Sequence, residues 1–177
     1  DWKQTLSPME PVSKEHFGVS VSVSGDPGAA LPDTLVVGAN GHMDGQVKTG
    51  GVYVFSREGA DWGEDPMVLL PPPEYVDSSF GRAAVVAGDV IVAGAHTYQA
   101  PGSTGADAGA AFVFERQNGS FGAPIGLVPE DGTTYQALGV SVALANGRVF
   151  VGAGRDGSDV TTQNGAVYVF SKGAQAW

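Results

Sequence analysis

The chain has 177 residues, of which 27 are Gly, and it carries a formal charge of −10. Val outnumbers Leu 24 to 8, with only 2 Ile; Val favours half-buried pleated surfaces and abundant Gly breaks helices, so composition points to an all-β domain and excludes a helical bundle or coiled coil. The acidic balance repels phosphate backbones and makes nucleic acid a poor partner. The absence of Cys removes any disulfide framework or thiolate metal site, and no apolar run reaches the roughly 18 residues of a membrane span. A start at Asp1 rather than Met reads as a piece of something larger.

Taken in chain order, the pattern opens with an aromatic strand at Trp2 to Leu6. A period-two strand, Phe17 to Val23, follows, alternating Phe17, Val19, Val21 and Val23 with Gly18, Ser20 and Ser22. Its small, uncharged face predicts close approach to another sheet. After an insertion from Gly25 to Asp33 come the strand Leu35-Val36-Val37-Gly38-Ala39, a loop from Asn40 to Gly50, and the strand Tyr53-Val54-Phe55. A short turn then leads to Trp62.

The same order recurs twice more. Phe80-Gly81, the turn Gly88-Asp89, Ile91 to Ala95, the loop His96 to Gly109 and Phe112-Val113-Phe114 form the second copy, closing on Phe121. Leu138-Gly139, Asn146-Gly147, Phe150 to Ala153, the loop Gly154 to Gly165 and Tyr168-Val169-Phe170 form the third, closing on Trp177. Asn-Gly is the strongest two-residue hairpin signal. Gly38 to Gly94 is 56 residues and Gly94 to Gly152 is 58, so the units run approximately 1–60, 61–119 and 120–177 within one domain. Four antiparallel strands per unit, covered on both faces, predict β-propeller blades, and each opening aromatic strand pairs back on the preceding aromatic-Val-Phe strand.

Phe-Gly-x-Ser-Val, then Val-Val-Gly-Ala, then Gly-Val-Tyr-Val-Phe, then Trp, resembles the FG-GAP repeat, the unit of integrin α-subunit propellers and of bacterial surface proteins. The resemblance implies a non-enzymatic recognition or adhesion module at the cell surface or outside the cell. Integrin-type repeats often hold calcium in a D-x-[DN]-x-[DN]-G-x-x-D loop between the first two strands. Here that loop is degenerate: Asp26-Pro27-Gly28-Ala29-Ala30-Leu31 has one carboxylate and then no side-chain oxygen at the next two ligand positions. Calcium is therefore not carried over, and no cofactor is expected.

Strand alternation places the loops after each second strand, together with the Pro-rich crossovers, at one end. Long loops on a rigid scaffold are where binding concentrates. That end holds the candidate ligand-binding residues His42, Asp44, His96, Tyr98, Arg155, Asp156 and Asp159, facing a protein or glycan. Turn chemistry and solvation explain many such Asp and Asn residues as well. No nucleophile elbow, zinc-protease or phosphate-loop motif is present. The alternative reading is a carbohydrate-binding or carbohydrate-active propeller, lectin or glycosidase; a third is a structural spacer in a larger surface protein. Propellers close with about four to eight blades, so three blades predict a homo-oligomer in which two chains form one six-bladed ring.

Overall fold

The computed structural model describes residues 3–8, 13–25, 33–58, 60–98, 108–127, 137–154, 164–173 and 177. Three antiparallel sheets follow one another along the chain. The first is built from β1 (Phe17–Ser24), β2 (Thr34–Ala39) and β5 (Gly51–Glu58), with β6 (Asp61–Trp62) and β7 (Met67–Leu69) on its outer edge. A small hairpin, β3 (Met43–Asp44) and β4 (Val47–Lys48), stands in the loop between β2 and β5. The second sheet comprises β8 (Ala84–Ala87), β9 (Val90–Gly94) and β10 (Ala111–Gln117), with β11 (Ser120–Phe121) and β12 (Ile125–Leu127) outermost. The third has β13 (Leu138–Ala145), β14 (Arg148–Ala153) and β15 (Ala166–Ser171). These are propeller blades. The outer strand of blade one, β6 and β7, comes from the following sequence unit, the pairing expected from the recurring aromatics.

Two apolar seams hold the blades together. Between blades one and two, Val36, Val52, Val54 and Leu69 meet Phe80, Val86, Ile91, Phe112 and Phe114. Phe80 lies edge-on to both Phe112 and Phe114, with centroids 6.0 and 6.1 Å away. Between blades two and three, Val92, Val113 and Leu127 meet Leu138, Val149 and Val151. Each such side chain taken fully from water contributes about 1.5–3 kcal/mol.

The small face of β1 also works as a seam. Ser20 Oγ donates to the Gly81 carbonyl at 3.0 Å, while Ser22 Oγ and Ser24 Oγ accept from the backbone N–H of Val86 and Gly88 at 3.2 and 2.8 Å. The large face points the other way, and Val21 is 63% exposed. The expected burial of that face thus fails on blade one, because no described blade precedes it. Behind the same blade Leu6 packs with Phe17, Leu35, Tyr53, Phe55 and Trp62, and the Gln4 amide clasps Trp62: Nε2 donates to its carbonyl at 2.9 Å and Oε1 accepts from its N–H at 3.0 Å.

Candidate functional site

Each first strand enters its blade through the same bend. His16, Ser79 and Ala137 have φ of 56°, 56° and 61°, and Gly18, Gly81 and Gly139 follow at 91°, 83° and 85°. These left-handed conformations favour glycine at the second position. The N–H two residues after the Phe or Leu bonds back to the bend: Val19 to His16, Arg82 to Ser79, Val140 to Ala137. On blades one and two the loop after the second strand is then stitched to that entry. Gly41 N–H donates to the Glu15 carbonyl and Thr97 N–H to that of Ser78. The loop end is therefore a rim of repeated backbone bonds that carries variable side chains.

Two cavities open on this rim. One, of about 500 Å³, lies between blades one and two and is lined by Lys48, Glu74, Asp77, Ser79, Thr97 and Tyr98 among others. Lys48 Nζ and Asp77 Oδ1 are 2.8 Å apart. Thr97 Oγ1 donates to Ser79 Oγ at 3.0 Å. Tyr98 stacks on Tyr75 at 3.8 Å, and Tyr75 in turn stands edge-on to the core ring Phe112 at 4.7 Å. Burial, with Tyr98 beside it, raises the Tyr75 hydroxyl above its ordinary range. The second cavity, of about 390 Å³, takes Asn40, Arg82, His96 and Gly154 from all three blades and shares Ser79 with the first. His16 Nδ1 lies 3.2 Å from Asn40 Oδ1 at its border.

The candidate residues divide. His96 and Tyr98 line the two neighbouring cavities. Asp44 is exposed beside the tip of the β3–β4 hairpin. His42 turns inward instead: its Nδ1 lies 2.9 Å from Glu15 Oε1 and 3.0 Å from the Tyr53 hydroxyl, which itself donates to Glu15. Glu15 and Tyr53 are buried. Burial first, and the Glu15 carboxylate second, push the Tyr53 hydroxyl far above its ordinary value, so it remains neutral and donates. Arg155, Asp156 and Asp159 lie outside the described residues, as does most of the degenerate calcium loop. Asp33, at the far end of that loop, is described, and its Oδ2 is held by Arg57 Nη1 at 2.8 Å. Among the described residues no three His, Cys, Asp or Glu side chains converge.

Sequence reasoning did not single out Glu15, Lys48, Asp77 or Arg82. Lys48 and Asp77 sit 29 residues apart on different blades, and no local spacing marks them. One signal was present: Asp33 pairs with Arg57 and Asp89 with Arg116, at 2.8 and 3.3 Å. In both units the Asp stands just before the second strand and the Arg two residues beyond aromatic-Val-Phe.

Sheets of this topology with a stitched loop end define a β-propeller repeat module. The FG-GAP repeat model matches residues 2–55 and 126–170, more than half of the chain, and the chain belongs to the FG-GAP repeat family. Residues between the two matches fold into the same kind of sheet. No curated protein matches the chain.

Proposed function

We propose that this chain is a non-enzymatic propeller module for surface recognition or adhesion outside the cytoplasm, that it binds its ligand at the loop end, and that it completes a ring by self-association. One observation carries the recognition reading: the two cavities lie side by side on the rim, share Ser79, and draw polar and charged side chains from adjacent blades. Their volumes fall within the range of small-ligand sites. The cavity beside Tyr98 suits a glycan, since it combines an aromatic ring with the Lys48, Glu74, Asp77 and Thr97 donors and acceptors. The buried Glu15 and the neutral Tyr53 favour structural use of that cluster over catalysis.

A glycan array probed with the chain and with Tyr98→Ala and Lys48→Ala tests this reading, alongside turnover of a panel of aryl glycosides. Binding to one glycan class is expected, with loss in both variants, at unchanged melting temperature in Lys48→Ala, whose side chain is exposed, and with no turnover. Hydrolysis of any glycoside, or retention that neither variant reduces, would overturn it.

A further inference from the structure

We infer that the second rim cavity is an anion site, and that the ligand of the loop end is an acidic glycan whose carboxylate or sulfate group is held there by Arg82. The inference rests on the recognition reading above and names the chemical class of its ligand.

The cavity is walled by equivalent positions of three consecutive blades. Asn40, His96 and Gly154 each follow the Gly-Ala pair that closes a second strand, and all three line it. Ser79 and Ala137, the left-handed residues that open a first strand, line it too. Arg82 and Val140 stand two residues beyond the Phe or Leu of those strands and face the same space. On blade one that position is Val19. The backbone makes the same bond at all three: the N–H of Val19, Arg82 and Val140 donates to the bend carbonyl three residues earlier, at 3.1, 3.2 and 3.1 Å. Val therefore meets the demands of the fold at this position twice, and those demands do not account for an Arg on blade two.

The charge of Arg82 is also unspent. Lys48, Arg57, Arg116 and Lys172 each lie within 3.3 Å of a carboxylate. Arg82 forms no such pair among the described residues, in a chain with 19 Asp and Glu against 9 Lys and Arg. Its side chain is exposed, and no carboxylate is among the described residues that line the cavity. A planar fork of N–H donors in a space of about 390 Å³ without a carboxylate suits the paired oxygens of an anion. Ser79 adds a donor, because its Oγ accepts from Thr97 Oγ1 and its own hydrogen is left for a ligand.

The adjoining cavity has the opposite character. Glu74 and Asp77 outnumber Lys48 there, so it repels an anion but offers acceptors and donors to hydroxyl groups. Ser79 belongs to both. An acidic sugar spans them with its charged group on Arg82 and its hydroxyls toward Lys48, Asp77 and Thr97. The Tyr98 ring, held by Tyr75 at 3.8 Å at the wall of that cavity, favours a sugar over an acidic peptide, since the apolar face of a pyranose packs on an aromatic ring. The formal charge of −10 repels anions at a distance. Affinity must then come from hydrogen bonds at contact, for which the Arg fork is better suited than a Lys point charge.

A binding array tests the inference on the 177-residue chain. It carries uronate oligosaccharides beside their methyl esters, sulfated oligosaccharides beside their desulfated forms, and an oligoglutamate peptide. Binding should be confined to charged glycans, and the uronate and sulfate arms tell the two anions apart. Neutralising the ligand, or Arg82→Gln in the protein, should each weaken binding roughly ten- to hundredfold. Arg82→Lys should recover only part of that loss. Melting temperatures should not change, because the Arg82 side chain is exposed and forms no ion pair among the described residues. Equal binding of a charged glycan and its neutral form, or Arg82→Gln binding as the unmodified chain does, would overturn the inference. Capture of oligoglutamate with no glycan bound would overturn it as well. Neutral glycans lost on Tyr98→Ala but kept on Arg82→Gln would refute the anion site and leave the recognition reading standing, whereas no binding to any glycan would remove both.

Discussion

Glu15 is a buried carboxylate met from two different places in the fold: the Tyr53 hydroxyl on β5 donates to it, and His42 Nδ1, in the loop after β2, lies 2.9 Å from its Oε1. Removing the first by Tyr53→Phe leaves a buried charge short of a partner, and a urea titration should show a loss of about 1–3 kcal/mol. Glu115 is perturbed in the opposite sense to Tyr53. The Lys172 ammonium, followed by the Trp177 indole N–H, holds its carboxyl below the ordinary value near 4.5. A depressed pKa in the folded state contributes stability that is fully present above the unfolded value and fades as pH falls through the folded one. Acid titration below about pH 4.5 should therefore shift the fluorescence of Trp177, and Glu115→Gln should abolish that step. Little of this was legible in the sequence. Tyr53 sits in a strand motif that reads as core, and Glu15 lies in a segment with no periodicity; only the fold brings Glu15 within reach of a histidine 27 residues later.

At the scale of the element, turns and strands were legible because their chemistry is local. Asn146-Gly147 has φ of 51° and 69°, and Asn118-Gly119 has 53° and 86°, the paired positive values of a type I′ hairpin. The β3–β4 hairpin was not legible, since two residues per strand leave no alternation to detect. Period two separated a small from a large face on β1 but could not say which face would be covered; that depends on which neighbour stands on each side. The glycines ending each second strand carry a sharper consequence. Gly38→Ala drives a methyl into the Gly81 carbonyl across the seam, where backbone rather than a flexible side chain must yield. Thermal unfolding should report a destabilisation of about 1–3 kcal/mol or more.

At the scale of the molecule, three units and their order were plain from recurring landmarks, and the blade count follows from them. The loop end was legible as a place, through the parity of the strands, but its cavities were not, because each is assembled from side chains of two or three blades. The structure also sets sequence repeat and blade out of step: the outermost strand of blade one, Asp61–Trp62 and Met67–Leu69, lies beyond the aromatic-Val-Phe strand it covers and leads into the next unit. This offset bears on how such a chain can lengthen. A tandem duplication of one repeat length, wherever its ends fall, copies one set of the four strands, drawn from one blade or divided between two neighbours, and the copied pieces re-pair across the join. Ring size can thus grow one blade at a time without a break point ever having to coincide with a structural boundary.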